Sequence, residues 1–197
     1  GKQLEIRRWP RGSTLRTHGL YPFQSSIHAK SLSKHGMVTA AEIRQFLQEV
    51  SDPEIPVLTI IDLGVVQEIY FQDETWTVEL TPTYSGCPAM QQIEADILVK
   101  LQEKGISNAK VKHILSPAWT TDWISEEGRQ KLRLYGIAPP VNEPDKSALF
   151  SEPPRVACPK CNSKDTRMVS LFGSTACKAQ YQCNQCLEPF DYFKCLK

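Results

Sequence analysis

The sequence predicts a mixed α/β (α+β) protein, in which a small α-β-β-α-β-α domain is followed by a C-terminal β zinc ribbon. Three observations carry this reading. Helical and strand-like apolar periods succeed one another in that order over residues 37–137. Pro139-Pro140, Pro144 and Pro153-Pro154 then interrupt every period and mark residues 138–155 as a stiff linker. Beyond the linker, residues 156–197 hold two C-x-x-C pairs in a stretch too short to bury a core unaided.

Residues 1–36 stand apart. They carry seven Lys/Arg against one acid and no sustained period of 2 or 3.6. They read as vector sequence or a disordered leader, with an Arg-rich transit peptide as the other reading, and Met37 is the expected native start. The remaining chain holds 16 Lys/Arg against 21 Asp/Glu, and this mildly acidic balance argues against a nucleic-acid surface. No run approaches the roughly 18 apolar residues of a membrane span. Seven cysteines, an odd number, with no apolar signal segment, fit metal thiolates in a reducing cytoplasm better than a secreted disulfide scaffold.

Each element has its own signal. Thr39-Ala40-Ala41-Glu42 is a capping-box pattern, and Ile43, Phe46, Leu47 and Val50 follow at helical spacing. Pro53 and Pro56 close that helix. Asp52–Gly64 is expected as a loop with apolar anchors. Val65–Phe71 and Thr75–Thr81 read as two strands joined at Gln72-Asp73-Glu74. A helix is expected from Pro88 to about Lys104, ended by Gly105. Ala109–Leu115 is the third strand. A loop with Trp119 and Trp123 leads to a last helix, capped by Ser125 and ended by Gly136.

The strongest chemical signal is Cys158-Pro-Lys-Cys161 and Cys183-Asn-Gln-Cys186, separated by 21 residues. Two residues between cysteines let both sulfurs of a tight turn face one ion, and two such turns complete a tetrahedral S₄ site. Four thiolates leave no open position, so zinc bound there is structural. Two redox-active dithiols, or a rubredoxin-like iron, share the spacing. Cys177 and Cys195 fall outside this set. They read either as small buried residues or as a second thiol site. If the ribbon strands run Thr166–Phe172, Ala179–Gln182 and Phe190–Lys194, both cysteines fall at the end away from the zinc. Cys195 then lies roughly 20 Å from the metal at about 3.3 Å per residue.

Cys87 precedes Pro88, at the positive end of the second helix, where backbone N–H groups and the helix dipole are expected to favour thiolate. Asp52 and Glu54 read either as loop caps or, with Cys87, as a metal or cluster handoff site. The sequence has no Walker loop, dinucleotide fingerprint, nucleophile elbow or H-E-x-x-H motif, and His113 alone among the four histidines lies outside the leader. An enzyme in its own right is not expected.

The strings DPEIPVLTIIDLGVV and LTPTYSGCPAM closely resemble the small α/β domain of iron–sulfur cluster assembly factors, a family that includes the bacterial SufT proteins. With SPAWTTDWISEEGRQKLRLYGIAPP and FGSTACKAQYQCNQCLEPFDYFKC, the resemblance over Met37–Lys197 is to the D (accessory) proteins of the bacterial phenylacetyl-CoA epoxidase system, the PaaD family. It implies an accessory factor of a multicomponent oxygenase in aerobic phenylacetate degradation, assisting assembly of an iron or iron–sulfur centre. It also implies the epoxidase subunits as partners, first among them the iron–sulfur flavoprotein reductase, together with the iron–sulfur assembly machinery. A homodimer is compatible with it. Carried over, the family's acidic motif falls on Asp52-Pro53-Glu54 and its reactive cysteine on Cys87. The implied cofactors are structural zinc and a transiently held iron or iron–sulfur cluster. The other function class is a non-catalytic structural subunit whose zinc ribbon docks the oxygenase or its reductase.

Overall fold

The computed structural model describes residues 38–141 and 153–194. The expectations for the leader lie outside the described residues, as does most of the proline-rich linker.

Helix α1 (Ala40–Phe46) starts as its capping box requires. The Thr39 hydroxyl accepts the Glu42 N–H at 3.2 Å, and the Glu42 carboxylate accepts the Thr39 N–H at 2.7 Å. A 3₁₀ turn, Leu47–Glu49, ends the helix, and Ile43 and Leu47 are fully buried. The chain then enters the Asp52 loop and reaches β1 (Val66–Gln72) and β2 (Thr75–Leu80), an antiparallel hairpin. Asp73 and Glu74 both take positive φ, 49° and 57°, as a two-residue turn matched to strand twist demands.

Helix α2 (Ala89–Glu103) buries Ala89, Met90, Ile93, Ile97 and Leu101 on one stripe and returns the chain to β3 (Ala109–His113), parallel to β2. This sheet has the order β1-β2-β3. Helix α3 (Glu126–Tyr135) is capped by Ser125, whose hydroxyl accepts the Gly128 N–H at 2.9 Å. Buried Asp62 anchors it: its carboxylate accepts from Ser125 Oγ at 3.2 Å and from Lys131 Nζ at 2.9 Å. Gly136, at φ 92°, turns the chain out of the helix.

The next two residues depart from the expected layout. Ile137–Ala138, at the foreseen junction of domain and linker, form strand β4. It pairs parallel with the last ribbon strand, Ile137 opposite Asp191 and Ala138 opposite Tyr192. The ribbon strands are β5 (Thr166–Ser170), β6 (Lys178–Cys183) and β7 (Pro189–Phe193), and the sheet order is β4-β7-β6-β5. Two apolar clusters result. Ala138, Val156, Ala179, Tyr181, Phe190 and Tyr192 pack beside the metal-ligand cysteines, while Cys177 and Phe193 from the ribbon belong to the main α/β core. Phe193 meets Trp119 edge-on with centroids 6.1 Å apart, and Trp119 is fixed by its indole N–H donating to the Leu63 carbonyl at 2.8 Å. Ribbon and α/β domain therefore share a core. No helix among the described residues is long and apolar enough to cross a membrane.

Candidate metal centres

The two C-x-x-C turns are built alike. The N–H of Cys158 donates to the Ser163 carbonyl at 2.9 Å, and that of Cys183 to the Glu188 carbonyl at 3.0 Å, the same five-residue step. The residue after each second cysteine adopts positive φ: Asn162 at 61° and Leu187 at 63°. This folds each turn so that backbone N–H groups reach sulfur, Ser163 to Cys161, Glu188 to Cys186, and Cys186 to Cys183 at 3.5 Å. The N–H groups of Cys186 and Gln185 hold the Cys183 thiol down at about 7. Asn184 Nδ2 to Asp165 Oδ1 at 2.7 Å and the Lys160–Glu188 ion pair at 2.8 Å tie one turn to the other.

All four sulfurs lie within 4.8 Å of one another, with Cys158–Cys186 at 3.7 Å and Cys161–Cys183 at 3.5 Å. A tetrahedron with metal–sulfur bonds of about 2.3 Å has edges of about 3.8 Å. The donor set fits one four-coordinate ion, and the cluster is a metal-binding site with no position left for a substrate.

The second group lies where the ribbon meets the α/β domain. Asp52, 8% exposed, bends its own loop: Oδ1 accepts the N–H groups of Glu54 and Ile55, each at 2.8 Å. That turn presents Glu54 to the ribbon. Cys177, immediately before β6 and 5% exposed, places Sγ 3.4 Å from Glu54 Oε2. Thr175 Oγ1 sits 3.1 Å from the same sulfur, and Lys178 Nζ donates to the Glu54 carbonyl at 3.4 Å and lies 3.8 Å from Asp191. Cys87, half-buried before α2, feels the charges of Glu54 and Asp52. Sequence spacing does not single out Tyr84 or Lys178. The Tyr84 phenol hydrogen-bonds the Cys87 thiol and faces Glu54 and Cys177. Its one sequence signal is its place three residues before Cys87 in the same loop. The one signal at Lys178 is that it follows Cys177.

The expectation of a ready thiolate at Cys87 does not hold. Burial pushes its thiol up, beyond what the Ala89 N–H recovers, and the Glu54 carboxylate pushes the same way. Burial also raises Cys177, to about 12, with Glu54 adding to it, and Tyr84 likewise to about 12. Burial raises the Asp52 carboxyl, partly offset by the N–H groups of Ile55 and Glu54. The helix start is present, but desolvation and two acids outweigh it. Among the described residues, the S₄ group alone has three or more ligand atoms within 4.8 Å of one another. Asp52, Glu54, Cys87 and Cys177 are thus gathered without closing on one point. Cys195 lies outside the described residues, and with it the expected pairing of Cys195 and Cys177.

Residues 142–194 match the model of the PaaD zinc β ribbon domain, and residues 40–112 that of iron–sulfur cluster assembly proteins. A protein of Escherichia coli (strain K12), described as a putative subunit of 1,2-phenylacetyl-CoA epoxidase, is 48% identical over 155 residues, 79% of this chain and 92% of that one. The chain belongs to the PaaD family. This PaaD-family chain is also 35% identical over 96 residues to an Fe-S protein maturation auxiliary factor of Porphyromonas gingivalis (strain ATCC BAA-308 / W83), covering 48% of this chain and 90% of that one. Among solved structures, a domain of unknown function from Bacillus anthracis matches 47% of the chain and 90% of its own length at 24% identity and a TM-score of 0.44. The PaaD ribbon and the assembly domain together account for both groups of cysteines described above.

Proposed function

We propose that this PaaD-family chain is a non-catalytic accessory factor of a phenylacetyl-CoA epoxidase. It acts in the cytoplasm during aerobic phenylacetate degradation and assists assembly of an iron or iron–sulfur centre in a client, the iron–sulfur flavoprotein reductase. One observation carries the reading. Asp52 and Glu54, on an assembly-type domain and outside the closed S₄ site, lie near enough to Cys87 for their charges to act on its thiol. Hard carboxylate and soft thiolate donors together suit iron, and an incompletely closed set suits cargo that must leave. The S₄ site holds zinc as a structural ion, whose binding energy is folding energy for the ribbon. General iron–sulfur assembly proteins supply the cargo.

Cys87→Ser tests the reading. The variant should fold, keep one zinc per chain, and yield in cells a reductase lacking its cluster and an inactive epoxidase. A fully assembled reductase beside Cys87→Ser sinks the proposal. The docking-subunit reading has one observation on its side. Strand β5 is the outer strand of its sheet, and Val169 on it and Phe172 just beyond it are 52% and 57% exposed. A docking subunit would co-purify stoichiometrically with the oxygenase and hold zinc alone.

A further inference from the structure

The ribbon does more than sit beside the assembly domain, because it inserts a ligand-capable sulfur against that domain's acidic loop. Glu54 Oε2 and Cys177 Sγ are 3.4 Å apart although 123 positions separate them in sequence. An ion about 2.1 Å from the oxygen and about 2.3 Å from the sulfur would see them at an angle of about 100°, close to what tetrahedral or octahedral coordination asks. Both donors are held by their surroundings. Thr175 Oγ1 touches the sulfur at 3.1 Å, the Lys194 N–H donates to the Cys177 carbonyl at 2.9 Å, and the Asp52 turn fixes Glu54. Buried Lys178 bonds the Glu54 carbonyl and supplies positive charge beside the acids. From the loop before α2, Tyr84 lies beside both Glu54 and Cys177, and Cys87, hydrogen-bonded to Tyr84, lies beside Glu54.

We propose that Glu54 and Cys177 are two ligands of a second, labile metal site that spans both halves of the molecule, with Cys87 as the third donor. Its ligand is a borderline divalent transition-metal ion, iron(II) in the cell. At rest two donors are in place, and Cys87 joins them by a small movement of its loop toward the metal, with water completing the coordination. Each thiol that binds gives up its proton to water. The proposal deepens the accessory-factor reading and takes from it only the identity of the ion.

The test uses the whole, zinc-loaded protein without oxygen, titrated with cobalt(II) as the probe. Wild type should take up one cobalt per chain with no release of zinc and develop sulfur-to-cobalt charge-transfer absorption. Cys177→Ser should keep zinc and fold, lose tenfold or more in cobalt affinity, and lose much of that absorption. Glu54→Gln, which keeps the side chain's shape, should weaken cobalt to a similar degree and decides the matter if Cys177→Ser does not fold. Cobalt taken up only as zinc is released, or equal affinity and absorption in wild type and the variants, overturns the site. Cobalt binding that depends on Cys177, together with full reductase assembly by Cys177→Ser in cells, supports the site and overturns the accessory-factor reading instead.

Discussion

Burial and neighbouring charge set the chemistry of single residues here more than helix position does. Asp52, Glu54 and Cys87 are legible as candidates because turn-forming acids on either side of a proline and a cysteine at a helix start are local patterns. The sign of the Cys87 shift is not, since it depends first on burial in the folded chain and then on Glu54 and Asp52 arriving from another loop. Nor is the contact of Cys177 with Glu54, which no local pattern encodes. The raised Cys177 thiol has a measurable consequence. Burial holds its proton up to about 12, while the unfolded chain sheds it near the ordinary value of 9.0. Above that value the unfolded state binds fewer protons than the folded one, so stability falls with rising pH until the folded thiol also ionises. Wild type should lose about 2 kcal/mol through this group between roughly pH 7 and 10.5. Urea denaturation of wild type and Cys177→Ala across that range should show the extra slope in wild type only. Parallel pH profiles would show that the thiol is not held protonated.

At the scale of elements, the two metal-binding turns are near copies, and the difference between them is informative. The first places Asn162 at positive φ, a residue type that tolerates it, whereas the second places Leu187 there with its side chain 69% exposed. A left-handed Leu costs about 1 kcal/mol, and its exposed side chain recovers little by packing. Leu187→Asn, which copies the first turn onto the second, should raise stability by about 0.5–1 kcal/mol and leave metal stoichiometry unchanged. A melting temperature unchanged or lowered would mean that Leu187 makes a compensating contact. The helices and strands of both halves are readable from caps, proline stops and periods. Strand β4 is not. Two residues between Gly136 and Pro139 carry no period, and their pairing partner lies more than fifty positions away.

For the whole molecule, the sequence reads as two modules in tandem, because prolines separate two compositional regimes. The shared core reflects contacts between distant segments, Phe193 on Trp119 and Cys177 on Glu54, which composition cannot report. Removing the metal should therefore weaken more than the ribbon. No tryptophan lies within residues 153–194, so in a Trp9→Phe protein the remaining three, Trp76, Trp119 and Trp123, make tryptophan fluorescence follow the α/β half, and a metallochromic indicator follows release from the S₄ site. On heating, the two signals should change together, and stripping the metal with a chelator should lower the fluorescence midpoint. Two separate transitions, or a midpoint indifferent to chelation, would show the halves to be energetically independent.

The placement of Cys177 and Phe193 also imposes an order of events on the newborn chain. Synthesis runs from the N-terminus, and domains tend to fold as they emerge. Residues 38–138 leave the ribosome while two side chains of their core, Cys177 and Phe193, are still to be translated. Until the final segment arrives, the face of Trp119 that Phe193 will take has no such cover. A chain cut short before Phe193 should therefore be cleaved by proteases more readily than the full chain.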